Sequence, residues 1–161
     1  MVSVVVALLA FASMEPVAYL AHRRVMHGGG RSAAWHVPHH QVRDASRRSD
    51  TNDLYPAVMA GLTVVAMASG AYVDGWAPLL WIGSGVTLYG AAYLFVHDLY
   101  IHRRWSRFTW TWRPLERVRE AHRIHHLFGG EPYGFLFPVV PAALREQARS
   151  VTRDPLLPVG R

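Results

Sequence analysis

Polar and apolar positions divide this chain into three long apolar runs, with polar, histidine-rich stretches between and after them. Val2 to Ala21 has Glu15 as its only charge, and Leu54 to Val73 and Gly75 to Val96 have none. Each run approaches the ~20 residues that a helix needs to cross a bilayer. A helix of a soluble bundle shows a polar stripe along one face, and the second and third runs show no such stripe. The pattern therefore predicts three transmembrane helices, with Asp74-Gly75 turning the chain between the second and third. Ala10-Phe11-Ala12 looks like a signal-peptide cleavage site, but no basic segment precedes it and the apolar run continues beyond it. The first run reads as a retained helix.

A different periodicity follows the third run. In Trp112 to Phe128, Leu115, Val118, His122, His125 and His126 recur at helical spacing, while Glu116, Arg119, Glu120 and Arg123 occupy much of the rest. Pro114 suits a first helical turn, and Gly129-Gly130 ends the helix. This predicts a helix with histidines inward and charge outward. Tyr133 to Leu144 is a short apolar stretch broken by Pro138 and Pro141, compatible with an interfacial segment, a re-entrant segment or a cap on the core. Residues 145–161 read as a mobile polar tail. The expected fold is an all-α integral membrane protein. Three or four transmembrane helices would carry a cytoplasmic, histidine-rich helical cap, with residues 1–144 as a single domain and 145–161 as its tail.

Charge fixes the expected orientation. The chain carries 17 arginines, no lysine and 11 acidic residues, for a net charge of +6. No arginine precedes residue 23 or lies between residues 49 and 102. With three spans, every arginine falls on the membrane face where the histidines lie, and the positive-inside rule makes that face cytoplasmic. The basic balance thus reads as topology, and nucleic-acid binding drops out. Trp76 and Trp81 suit one membrane interface, and Trp105, Trp110 and Trp112 the other. Arg23, Arg24, Arg103, Arg104 and Arg123 read as interface anchors. The absence of cysteine excludes disulfides, thiolate metal sites and a cysteine nucleophile.

All ten histidines fall into four clusters: His22 and His27; His36, His39 and His40; His97 and His102; His122, His125 and His126. An H-x4-H pair and an H-x2-H-H triplet alternate twice. Imidazole-rich sites favour iron, zinc, copper or nickel over magnesium or calcium. Ten imidazoles exceed the needs of one ion, so the sequence points to two. Positions i, i+3 and i+4 share a helix face, which lets each triplet point into one pocket. Pro38 disfavours helix at Val37 and places a helix start near Pro38. The x4 pairs fit less simply: five residues advance about 140° on a regular helix. His22 and His27, or His97 and His102, share a site only if the helix bends, loosens or ends between them; otherwise they serve different ions. A low-complexity histidine tract is the bland reading, but these histidines are spaced and set among apolar residues.

Four further residues are candidates around the site. Glu15, seven positions before His22, is either a polar partner of the metal shell or a hydrogen bond to another helix. Asp98 can orient His97 from outside the metal shell or pair with Arg103 or Arg104. Asn52 and Asp53 either line the site or cap the second span, with the cap favoured.

The pattern Met14-Glu15, Tyr19, His22-Arg23, His27-Gly28, Trp35-His36, His39-His40, Asn52-Asp53-Leu54-Tyr55, Tyr89-Gly90, His97-Asp98, His102-Arg103, Trp105, Ala121-His122-Arg123, His125-His126 and Gly134-Phe135 resembles the bacterial β-carotene hydroxylases. These belong to the fatty acid hydroxylase superfamily of histidine-rich membrane di-iron enzymes, and the likeness runs from about Met14 to Leu136. The resemblance implies a monooxygenase of the bacterial inner membrane. Two iron ions on the ten histidines would use O2 as cosubstrate to hydroxylate C3 of a β-ionone ring. A ferredoxin-type donor with its reductase would supply electrons, the carotenoid would enter from the membrane lipids, and zinc could replace iron on isolation. Three other readings compete. A hydroxylase, desaturase or ketolase acting on another lipid would differ in product. A zinc-dependent membrane hydrolase needs only three protein ligands at its metal, far fewer than ten. A metal transporter would place ionisable residues along the spans, and here the histidines crowd one end.

Overall fold

The computed structural model describes residues 2–41, 50–104 and 110–156, and the described residues contain helices but no strands. Among the described residues, three helices are long and apolar enough to cross a membrane: Val2–Met26, Thr51–Tyr72 and Pro78–Ile101. Their regular α-helical parts are α1 (Val2–Ala21), α2 (Leu54–Tyr72) and α3 (Pro78–Tyr93). The expected three spans are present, and their sides remain open: Leu8, Leu62, Val64, Val65 and Leu88 are all more than half exposed. A soluble protein rarely exposes apolar surface on this scale, whereas lipid solvates it.

α3 packs against both α1 and α2. Small residues allow the close approach that drives helix association in lipid. A Cβ on Gly85 would lie 2.2 Å from the Ala7 carbonyl oxygen of α1, and one on Gly70 would lie 2.8 Å from the Leu80 nitrogen. The turn between α2 and α3 uses Gly75 at φ +82°, and Pro78 occupies the first turn of α3.

On the histidine side, α4 (Arg113–Phe128) carries Pro114 in its first turn and is capped by Gly129 in the left-handed conformation. It buries Leu115, Ala121, His122, Ile124, His125 and His126, so the histidines lie inward as expected. Of the four charged residues expected outward only Glu120 is exposed, while Glu116, Arg119 and Arg123 are partly buried against Tyr100 and residues 151–154. Val96, Tyr100, Ile101, Leu115 and Leu156 form an apolar cluster beside it. Tyr133 to Leu144 runs irregularly into α5 (Ala142–Arg149) and exposes Phe137 and Val139.

Residues 148–156 depart from the expected mobile tail, and 157–161 lie outside the described residues. Arg123 donates to the carbonyls of Ala148, Val151 and Arg153, Arg119 pairs with Asp154, and Leu156 is 3% exposed. Two arginines of α4 supply these anchors, a signal that tail composition alone does not carry. Trp76, Trp81, Trp110 and Trp112 are exposed near the ends of the spans, as interface residues would be. Trp105 lies outside the described residues.

Candidate metal centre

The histidine side of the bundle gathers the four clusters into one largely buried layer. The x4 pairs solve their spacing by loosening the helix. Beyond α1 the chain takes a π-helical turn over His22–Met26, and beyond α3 another over Leu94–Ile101. The His27 amide donates to the His22 carbonyl (3.1 Å), and His102 donates to His97 (2.9 Å). These are i→i+5 hydrogen bonds, the π period, so five residues return each pair to one side. The triplet around Pro38 follows one 3₁₀ turn, Arg31–Trp35, and runs through a second, Val37–His40, with His36 at the junction and Pro38 near the start of the second.

Two groups result, within each of which the potential ligand atoms lie within 4.8 Å of one another. The first contains His22, His27, His36, His40 and His125; the second contains His39, His97, His102 and His122. Each keeps one x4 pair whole and borrows the middle histidine of the other half's triplet: His125 joins the first group, His39 the second. His126 packs against His122 (ring centroids 4.5 Å), His39 (4.8 Å) and His102 (5.1 Å), and stacks on His40 (4.4 Å). Its Nε2 has no hydrogen-bond partner among the described residues, and neither has either ring nitrogen of His39.

Hydrogen bonds behind the rings fix several tautomers. His22 Nδ1 donates to the Tyr133 carbonyl (2.9 Å), His36 Nδ1 to Asn52 Oδ1 (2.7 Å), His125 Nδ1 to the Gly130 carbonyl (2.5 Å) and His97 Nδ1 to Asp98 Oδ1 (3.0 Å). A neutral imidazole protonated at Nδ1 presents a lone pair at Nε2. The Nε2 atoms of His22 and His36 are nevertheless 3.2 Å apart. Two lone pairs that close repel unless a cation lies between them. His40 and His36 approach at 3.0 Å, His27 and His125 at 3.2 Å, and His102 and His122 at 2.9 Å, all through Nε2. Two nitrogens bound to one ion at ~2.1 Å and near a right angle would be about 3.0 Å apart. The donor set and its spacing fit two metal ions.

Burial, with mutual repulsion at all but His27, disfavours the protonated form of His27, His36, His39, His40, His122, His125 and His126, and the neutral form is the one that binds metal. Burial pushes His36 down to about 4. Burial and the adjacent imidazoles push His40 and His125 down to about 2 and hold His39, His122 and His126 well below the ordinary value. Burial lowers His27 as well. The two groups differ in exposure: His27 and His40 of the first are partly exposed, while all four members of the second are buried.

Around the histidines, Asn52 does not act as the expected cap. Asp50 caps the second span, accepting the Asn52 amide (2.7 Å), with Asp53 completing a capping box. That frees the Asn52 side chain to hold His36. Besides this cap role, Asp53 receives both terminal nitrogens of Arg104 at 2.6 Å. Arg104 also reaches Asp98 Oδ1 (3.1 Å), so Asp98 binds both His97 and Arg104. Arg104 is therefore an interior clamp and not an interface anchor; its side chain is 1% exposed. Arg123 likewise serves the carboxyl-terminal stretch. Glu15 accepts the Tyr89 hydroxyl and the backbone amides of Phe135, Leu136 and Phe137, contacting no histidine directly. Sequence reasoning missed the carbonyls of Gly130 and Tyr133, because a backbone acceptor leaves no mark in residue type.

The fatty acid hydroxylase family profile matches residues 7–144. The chain is 40% identical over 143 residues to a β-carotene hydroxylase of Pantoea ananas, covering 83% of this chain and 78% of that protein. It is 38% identical over 151 residues to one from Pseudescherichia vulneris, covering 90% and 82%. A chloroplastic β-carotene 3-hydroxylase of Arabidopsis thaliana is 36% identical over 133 residues, 78% of this chain and 41% of that longer protein. No solved structure matches the chain. A histidine layer of this composition at one end of three apolar helices agrees with those likenesses, and the chain belongs to the fatty acid hydroxylase family.

Proposed function

We propose that the protein is a non-haem di-iron membrane monooxygenase that hydroxylates carotenoid β-ionone rings at C3, converting β-carotene to β-cryptoxanthin and zeaxanthin with O2 and two electrons. The observation that carries this reading is the convergence of imidazole lone pairs into two adjacent groups, in a chain similar to named β-carotene hydroxylases over most of its length. Iron would supply the O2-dependent oxidation of an unactivated ring C–H bond, which offers no acidic proton for a side-chain base.

The chain's own residues set the conditions for that chemistry. His22, His27, His36, His40 and His125 would hold one ion. His39, His97, His102 and His122 would hold the other, with the unpartnered Nε2 of His126 as a fifth donor. Asn52 and Asp98 orient His36 and His97 from behind, and Arg104 with Asp53 braces Asp98. A lipid-dissolved substrate would arrive through the open sides of the spans. Electrons would arrive at the histidine face, where exposed Arg113 and Arg117 favour an acidic ferredoxin-type donor working with its reductase. We place that face in the cytoplasm at a bacterial inner membrane, on the distribution of arginines. Residues 1–144 form the hydroxylase domain in this reading.

Expression in a β-carotene-producing bacterium, with pigment extraction, tests the proposal. Ring-hydroxylated products are expected, together with iron in the purified protein. Unchanged β-carotene from well-expressed protein supplied with reductant would refute it, and oxidation at C4 would indicate a ketolase.

A further inference from the structure

Glu15 anchors, from inside the first span, the irregular segment that follows α4. Its Oε1 accepts the amides of Phe135 (2.9 Å), Leu136 (3.2 Å) and Phe137 (3.1 Å). Its Oε2 accepts the Tyr89 hydroxyl (2.7 Å) and a second approach of the Leu136 amide (3.1 Å). Every partner is a donor, which suits an acceptor-only carboxylate. Glu15 lies seven residues before His22, about 10 Å along a helix. The segment therefore dips beneath the histidine layer to the depth of the spans, where irregular backbone cannot leave its amides unpaired. The carboxylate meets that need for three consecutive residues. Gly134 keeps the approach tight, since a Cβ there would lie 3.0 Å from both Glu15 Oε1 and the Pro138 Cα.

The same segment grips one member of the first histidine group twice. The Tyr133 carbonyl accepts His22 Nδ1, and the Phe135 ring stacks on the His22 ring with centroids 4.7 Å apart and planes at 15°. Its contact with the second group is looser: the Phe135 ring meets His97 edge-on at 5.7 Å.

We propose that Glu15 is a positioning residue for the first metal-binding group. By pinning the amides of residues 135–137, and through them the adjoining Tyr133 carbonyl, it fixes the ring plane and tautomer of His22, so that Nε2 faces His36. The inference rests on the metal-centre reading above. It goes beyond a helix-to-helix hydrogen bond, because the Tyr89 contact alone would tie α1 to α3 without reaching a histidine.

Full-length protein, purified in detergent and reconstituted with iron, provides the test through Glu15→Ala, Glu15→Gln and Tyr89→Phe. The readouts are iron bound per chain, the spectroscopic signature of paired against single iron, and the thermal midpoint. Glu15→Ala is expected to weaken one ion by about 10–100-fold, leaving single iron on a folded protein. Glu15→Gln keeps one acceptor oxygen and should recover part of the pair. Tyr89→Phe should keep both ions. A Glu15→Ala protein with an intact iron pair would overturn the proposal, as would loss of both ions together with the thermal transition, the mark of a purely structural role. Wild-type protein that binds two irons yet hydroxylates no carotenoid would refute the substrate reading alone and leave this comparison decisive. Wild-type protein that holds no iron pair would refute both.

Discussion

The hydrogen bonds behind the imidazoles decide which nitrogen each ring offers, and a single atom can change that. In Asp98→Asn, the amide keeps its size but binds His97 Nδ1 more weakly and loses the charge that Arg104 faces. Metal affinity and turnover should fall about 10–100-fold with the protein still in the membrane, read by iron content against hydroxylation rate. His125→Ala removes a ligand candidate outright, and product should vanish while membrane-bound protein remains. Acid should act through the same rings. His36 titrates near 4 in the fold, and His40 and His125 near 2, against about 6.5 in an unfolded chain. Between those values the unfolded chain binds more protons. Stability of the metal-free protein should be level above neutrality and decline as pH falls below about 6.5. A thermal midpoint unchanged between pH 7 and pH 5 would contradict this. The candidate donors were legible in the sequence, because imidazoles cluster by residue type. Asn52 was not, because its cap role and its bond to His36 predict the same residue at the same place, and only the Asp50 cap separates them.

At the scale of helices, spacing carried real information, and the mismatch between H-x4-H and a regular helix was its most useful part. It left either a loosened or interrupted helix or a different ion for each member of a pair, and the π turns at His22–Met26 and Leu94–Ile101 match the first. The spans were equally legible from uncharged length. The docked carboxyl-terminal stretch was not, because its short apolar content gains meaning only beside Ile101 and Leu115. Leu156 fills that contact at 3% exposure. Leu156→Ala should cost about 2–5 kcal/mol of stability. The expected signs are a lower thermal midpoint in detergent and easier loss of iron from the second group, whose His97 and His102 stand on the same turn. An unchanged midpoint would show that the stretch is dispensable.

For the molecule in its membrane, the cysteine-free sequence offers a direct test of sidedness. Asp74→Cys lies at the α2–α3 turn and Arg31→Cys on the histidine side, and both positions are exposed. An impermeant thiol reagent applied outside intact cells should label the first and spare the second until the membrane is opened. The reverse pattern would put the histidines outside the cytoplasm. The exchange of His39 and His125 between the halves has a consequence for biosynthesis. α4 emerges last from the ribosome among the histidine-bearing elements, and it supplies His125 to one cage and His122 to the other. Until it is translated, a nascent chain holds two incomplete histidine groups; one late helix then completes both, and on the proposed metal-centre reading this would tie metal capture to the end of synthesis.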